Sequence, residues 1–455
     1  MARFTQVSAW LRPAWVDRNL SLVLAARGAM SAARAVAGVV TALYLASQGF
    51  SGLRIGMVFL GVALAGAAMS SGVGLASDAL GRKPFLVVVP LLASAAAAVF
   101  AVDRNVALLF VFAAIGSFGR GAGAGAGNVG PYQPAEAAFV AEGVPAANRT
   151  AAFGRLSFVS SLGALAGGLL AGLAQPGRAV GQAATAAYRP AFLAAAVLAG
   201  IAGLLALGLT DQVGDRRRPS GGRRWPRIVL PRRSWHVLWR FWVTNGLNGM
   251  AIGLFGPFVS YWFHRRYGAS PQAVGVLFAV INVATLGSAL GAATIGHRFG
   301  TVRAIVAVRV LQGALLVPMA LAPDFTAAGG IYLVRMLVQR VGLPLRQSFT
   351  QAVADPEERA SLAALSNLPA QGTQAGSQVL AGYLFDEVSL AAPLLIGGLL
   401  QTLNAAAYAV LFRGFTTAED RAGLPATATA PPDGDQPAAA PRPVVERPVA
   451  DGGEH

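Results

Sequence analysis

About a dozen apolar runs, each long enough to cross a bilayer, divide this chain of 455 residues. No other feature restricts its fold so much. A helix needs roughly 20 apolar residues to span the hydrocarbon core. In lipid every backbone polar group must be satisfied within the spanning structure, so runs of this length predict a bundle of α-helices. Spans are expected near 21–47, 53–76, 84–102, 106–128, 151–174 and 188–210, then near 237–262, 272–295, 303–322, 327–346, 361–384 and 390–412. The first run is too long for a cleavable signal peptide, holds Arg27 and Arg34, and leads into a second span.

Composition points the same way. The chain is 55% hydrophobic and only 12% charged, too few charges to cover a soluble protein of this length. Cysteine is absent, which excludes disulfides and thiolate metal sites. The four histidines, His236, His264, His297 and His455, fall at loops or ends, so no histidine metal centre and no cofactor is expected. Nor is there an H-E-x-x-H pair, a G-x-S-x-G elbow or a P-loop, which argues against a membrane enzyme and against ATP-driven transport within this chain.

The net charge of +16 is not a nucleic-acid signature, because its arginines gather in loops on one side of the expected bundle. That side carries Arg3, Arg12, Arg18, Arg82, Lys83, Arg149, Arg155 and eight arginines between positions 216 and 233. The other side carries only Arg54, Arg104, Arg178, Arg189, Arg265 and Arg266. Both termini and the central loop are therefore expected in the cytoplasm, in a multi-pass protein of a bacterial inner membrane. The expected organisation is an N-terminal segment 1–20, a six-helix bundle 21–210, a basic linker 211–236, a second six-helix bundle 237–413 and a disordered Pro/Ala-rich tail 414–455. The linker reads either as a solvated tether or as a binding segment for lipid or a regulator.

The halves repeat each other. Ser51, Gly56 and Gly81 recur as Ser270, Gly275 and Gly300, all shifted by 219. Arg149 and Gly172 recur as Arg359 and Gly382, shifted by 210. Collinear similarity of this kind implies two parallel repeats about an axis along the membrane normal. Between the second and third spans stands Gly74-Leu75-Ala76-Ser77-Asp78-Ala79-Leu80-Gly81-Arg82-Lys83.

Twelve spans, a basic middle loop, a two-fold repeat and this string together resemble the major facilitator superfamily. The string is similar to that family's loop motif, G-x-x-x-D-x-x-G-R-K, at every required position. The resemblance implies an all-α membrane fold of two pseudo-symmetric six-helix bundles that rock around a central cavity. It also implies that Gly74, Asp78, Gly81, Arg82 and Lys83 form a gating motif, with Asp78 near the start of the eleventh helix around Glu357–Ser361. A carboxylate is favoured there by the helix dipole; the plainer alternative is an interfacial salt bridge. In the second half His297 and Arg298 stand where the acid would be. In the fifth span Gly154, Gly163, Gly167 and Gly172 resemble the glycine pattern of the family's proton-coupled exporters, with Gly168 where that pattern has proline. Such residues also serve simply for close helix packing.

Charge near the bilayer centre costs roughly 2.5–3.5 kcal/mol even on an insertion scale, so intramembrane ionisable residues need a reason. Arg27 and Arg34 lie two turns apart on one face of the first span, directed into the cavity or the bundle interface. Arg120, Arg309, Arg335 and Arg340 fall in the fourth, ninth and tenth spans. The resemblance implies that the first, fourth, seventh and tenth helices line the cavity, which makes Arg27, Arg34, Arg120, Arg335 and Arg340 candidate cavity residues. Asn245, Asn248 and Asn282 are polar candidates in the seventh and eighth spans, and Gln371, Gln374 and Gln378 form a stripe in the eleventh. The stripe can bind substrate or link helices by hydrogen bonds. Acids are scarce: Glu136 is the candidate proton carrier, with a structural pairing to Arg346 or Arg82 as its alternative.

The expected function is secondary transport of small organic molecules by alternating access, with export by proton antiport ahead of uptake. The alternative is exchange of organic anions or phosphorylated metabolites through an arginine-rich cavity. A non-transporting scaffold is the competing class. The expected partners are the lipid bilayer, a small-molecule substrate and protons, with no nucleic acid, and the expected state is a monomer.

Overall fold

The structure is a computed structural model, which describes residues 15–103, 105–116, 130–145, 148–175, 183, 186–210, 233–285, 300–353, 362 and 365–415. Those residues form helices and connecting turns, with no strand among them. In the first half the helices are α1 (Arg18–Ser47), α2 (Gly52–Leu80), α3 (Lys83–Val102), α4 (Val106–Gly116), α5 (Gln133–Gly143), α6 (Arg149–Leu170) and α7 (Arg189–Leu207). The second half contains α8 (Trp235–Phe255), α9 (Val259–Tyr267), α10 (Pro271–Thr285), α11 (Thr301–Ala314), α12 (Leu316–Leu321), α13 (Phe325–Ala352), α14 (Leu368–Glu387) and α15 (Ala392–Leu411). Seven stretches among the described residues are long and apolar enough to cross a membrane. Parts of the expected fourth and eighth spans, the linker's residues 211–232 and the tail from 416 lie outside the described residues.

Local chemistry sets the helix ends. The Asp17 carboxylate accepts from Leu20 N at 2.7 Å, so α1 starts at Arg18 rather than at 21. Asp324 accepts from Ala327 N at 2.8 Å and starts α13 in the same way. Proline stands in the first turn of α3, α7, α14 and α15, where its missing N–H costs nothing. The expected seventh span is not one helix. Gly256-Pro257-Phe258 forms a 3₁₀ turn between α8 and α9, because Pro257 cannot donate back along the helix. The ninth span breaks at Leu315, three residues before Pro318, a residue that cannot donate back along the helix. Gly81 and Gly300 both have positive φ, +88° and +82°, a backbone state that side-chain-bearing residues rarely adopt. The same turn thus recurs at equivalent points of the two halves.

Packing repeats with the same symmetry. Helix α1 packs on α6 and α7 as α8 packs on α14 and α15. Helix α3 packs on α7 as α11 packs on α15, and α2 on α4 as α10 on α13. Between halves, α2 packs on α14 and α6 on α10. Apolar side chains of α3 and α7, such as Val88, Leu204 and Leu207, are about half exposed, as suits the outer wall of a membrane bundle.

The apolar core is shared at one end of the bundle and divided at the other. Away from the chain termini, one cluster joins both halves through Tyr44, Phe59, Phe258, Trp262, Phe278 and Phe385. Towards the termini each half has its own cluster, around Tyr132 and Phe139 in the first and around Phe349 and Tyr408 in the second. Among the described residues the two halves thus share an apolar seal at the far end and have separate cores at the terminal end.

Candidate transport site

Glu136 lies in the first turn of α5, where the helix dipole favours a carboxylate. The chain enters this helix through Gly130, with φ +101°, and then Pro131 and Tyr132. Glu136 is 2% exposed and forms an ion pair with Arg27 of α1, itself 5% exposed. Neither Arg346 nor Arg82, the partners expected from the sequence, takes that place. Arg34, two turns further along α1, rests against Gly130: a Cβ at that glycine would lie 2.6 Å from Arg34 Nη1. Tyr132 is buried beside them, and its hydroxyl has no hydrogen-bond partner among the described residues. Glu136 and Tyr132 border a small pocket with Val23, Ala26, Pro90 and Leu209. Its walls are α1, α3, α5 and the end of α7, so the carboxylate faces the interior of the first half.

The second half contributes buried arginines. The Nε atoms of Arg335 and Arg340 on α13 are buried without hydrogen-bond partners, and neither residue forms an ion pair among the described residues. Arg309 is different. It donates to Asn248 Oδ1 and to Gln401 Oε1, the latter at 3.4 Å. Asn404, with its carboxamide oriented to satisfy both neighbours, accepts from Arg309 at 3.3 Å and donates to Thr244 O at 3.0 Å. Three carboxamide oxygens thus solvate one buried guanidinium. Asn248, expected in the cavity, is committed to this network inside the second half. Gln401 and Asn404, one turn apart on α15, were not singled out from the sequence, although their spacing puts both on one face of an apolar helix.

The remaining polar candidates divide. Asn245 donates to Ser366 O at 2.8 Å, tying α8 to the segment before α14. Asn282 donates to Phe278 O of its own helix at 2.9 Å. Gln371 is exposed, Gln374 is half-buried, and Gln378 is buried with its Oε1 unpartnered. Arg120 lies outside the described residues.

Around the loop motif, Arg82 donates to Ser77 Oγ at 3.0 Å and pairs with Glu142 at 2.7 Å. Gly74 lies opposite Pro134, Gly81 ends α2 and Lys83 opens α3. The side chain of Asp78 and residues 354–361 lie outside the described residues. Of the fifth-span glycines, Gly163 and Gly167 press on the backbone of Gly28 and Ala32, and Gly172 on Gln272 across the halves. Gly154 is not a packing glycine: it is exposed, and nothing lies within 4 Å of where its Cβ would be.

The sequence profile described as Major Facilitator Superfamily matches residues 23–374. The chain belongs to that superfamily. Among solved structures, a bacterial homologue of the human lysosomal transporter Spinster, in an inward-facing and unoccupied conformation, superposes with a TM-score of 0.63 at 12% identity, covering 90% of this chain and 97% of that one. The nucleoside transporter NupG gives 0.65 at 15% identity, covering 87% and 100%. At such identities these likenesses concern the fold. A stretch of 197 residues is 27% identical to the multidrug resistance protein MdtG of Dickeya zeae (strain Ech586), over 43% of this chain and 46% of that protein. The chain therefore spans less than half the length of that relative in the match. As a superfamily member the protein is a multi-pass membrane protein.

Proposed function

We propose that this transporter exports small organic molecules in exchange for protons, acting as a monomer in a bacterial inner membrane with both termini in the cytoplasm. The observation that carries the reading is the buried ion pair of Arg27 and Glu136 between α1 and α5. Breaking such a pair leaves an uncompensated buried charge, whereas adding a proton to Glu136 leaves only the arginine to be solvated. Gain and loss of that proton therefore bias how α5 sits against α1. Arg34 and Tyr132 pass the change along the same wall. The local similarity to a multidrug resistance protein and the close α1–α6 packing support export.

The test is transport in proteoliposomes. Glu136→Gln should abolish accumulation driven by a pH gradient yet leave exchange across preloaded vesicles intact, because exchange needs no net proton movement. Full pH-driven accumulation by the variant at equal abundance removes Glu136 from the coupling.

A second reading rests on Arg335 and Arg340, whose Nε atoms are buried without partners. Under it the protein exchanges organic anions or phosphorylated metabolites, and their carboxylate or phosphate groups pair with these arginines. Transport of such anions that ignores the pH gradient and is lost in Arg335→Gln would favour it.

A further inference from the structure

At the far end of the bundle a carboxylate bridges the two halves. Asp386, in the last turn of α14, reaches across to the opposite half. Its Oδ1 accepts from Gly52 N at 2.8 Å and its Oδ2 from Leu53 N at 2.8 Å. These are the first two amides of α2, orphan donors at the positive end of its dipole. The third, Arg54 N, is capped within its own half by Ser51 Oγ at 3.3 Å. Helix α2 is thus capped partly by its own half and partly by the other.

The contact sits on a seal too tight to admit side chains. A Cβ at Gly52 would lie 2.8 Å from Gly382 O, and one at Gly56 would overlap Gln378 O. Beneath it, Phe59 of α2 meets Phe258 at 5.4 Å between ring centres, and Phe258 meets Phe385 at 5.3 Å.

The internal repeat shows that this is not a generic feature of the interface. The symmetry-related contact is α6 on α10, where Gly168 packs on Gly275 and Gly172 on Gln272. The shift of 219 that relates Ser51 to Ser270 places Pro271 at the position of Gly52, a residue with no N–H to donate. The shift of 210 that relates Gly172 to Gly382 places Pro176 at the position of Asp386. One of the two donors and the acceptor are replaced on that side. The two inter-half contacts both pack on glycines, and the carboxylate of Asp386 has no counterpart in the sequence of the other.

We propose that Asp386 is the positioning residue of the far-side gate: its bonds to Gly52 and Leu53 hold α14 on α2 in the far-closed state and break when the far end opens. Loss of the charge therefore shifts the conformational equilibrium towards far-side opening. This rests on alternating access, but not on the direction of transport, the substrate or the role of Glu136.

The chain has no cysteine, so a single reporter can be read without background. Gln378→Cys places a thiol at a position 2% exposed, directly under the seal. In membranes containing the full chain, the rate of its reaction with an impermeant maleimide from the far side measures opening. Adding Asp386→Asn should raise that rate about fivefold, the factor that corresponds to losing one cap-strength interaction. Asp386→Glu should return it towards the parent value. Ser51→Ala removes the cap that lies within one half and should leave the rate unchanged. An unchanged rate in Asp386→Asn, at equal abundance and monodispersity, overturns the proposal. So does an equal rise in Ser51→Ala, which would make Asp386 an ordinary helix cap. Because no substrate is used, failure here says nothing about proton coupling.

Discussion

Gly163 of α6 rests directly on the carbonyl of Gly28 on α1, with the Gly28 Cα 3.1 Å from where a Cβ on Gly163 would stand. Two helices in lipid gain little from excluding water, so they adhere by backbone contact, and small residues permit it. Gly163→Ala forces α1 and α6 apart and should destabilise the protein by roughly 1–3 kcal/mol, the usual range for overpacking. Gly154→Ala, on the same helix but facing open space, should be neutral or slightly stabilising. Thermal unfolding of the two variants in detergent measures the difference, and equal melting points would mean that α6 does not press on α1 in this way.

The network around Arg309 makes a different prediction. Arg309→Ala removes the donor shared by Asn248, Gln401 and Asn404, leaving buried acceptors unsatisfied. Each orphaned group costs roughly 1–3 kcal/mol. Arg309→Lys supplies a charge but not the planar fork, and recovers only part of the loss. Triple replacement of Arg309, Asn248 and Gln401 by apolar residues of similar volume should be more stable than Arg309→Ala alone. A triple variant less stable than the single one would show that the network does more than satisfy itself.

Arg82 and Glu142 test how much of the loop motif is structural. Glu142 is half exposed, and a pair of this kind is worth at most about 1 kcal/mol. Glu142→Gln should therefore leave stability and transport near the parent values. If Arg82→Ala abolishes transport while Glu142→Gln does not, the arginine acts through something other than this pair. Equal and small effects in both variants would assign Arg82 to a surface salt bridge.

The helices were legible in the sequence because a span is a local property. Apolar runs of bilayer length fix where helices lie, and the shift between Ser51 and Ser270 marks the repeat within the sequence itself. Breaks were less legible. Pro257 and Pro318 are visible as residues, but proline is tolerated in some spanning helices, so its presence alone did not say which ones stop. Pairing was not legible at all. Glu136 and Arg27 are 109 positions apart, and Asp386 and Gly52 334 apart. Arg82 and Arg346 were as plausible for Glu136 by composition, and only the packing of α5 on α1 decided between them. Asn248 reads as a cavity residue because it lies on a helix that the resemblance places along the cavity; the packing of α8 on α15 turns it towards Arg309.

The pair of Arg27 and Glu136 allows stability to be separated from coupling. Removing one partner of a buried ion pair leaves a charge without compensation and typically costs about 3–5 kcal/mol. Arg27→Gln should cost less than this, since a buried Glu136 without its partner can take up a proton and become neutral. Glu136→Gln should also destabilise, because it strands the arginine. In the double variant Arg27→Gln, Glu136→Gln two carboxamides can hydrogen-bond to each other, no charge remains, and stability should return close to that of the parent. Coupling should not return, because neither side chain can then gain or lose a proton at neutral pH. The double variant is thus expected to fold like the parent, to exchange substrate across preloaded vesicles, and to fail at accumulation against a pH gradient. Thermal unfolding with the two transport assays reads all three. A double variant that remains as unstable as the singles would show that the pair is held by geometry a carboxamide cannot copy. One that accumulates substrate as the parent does would move the proton site away from α5 altogether.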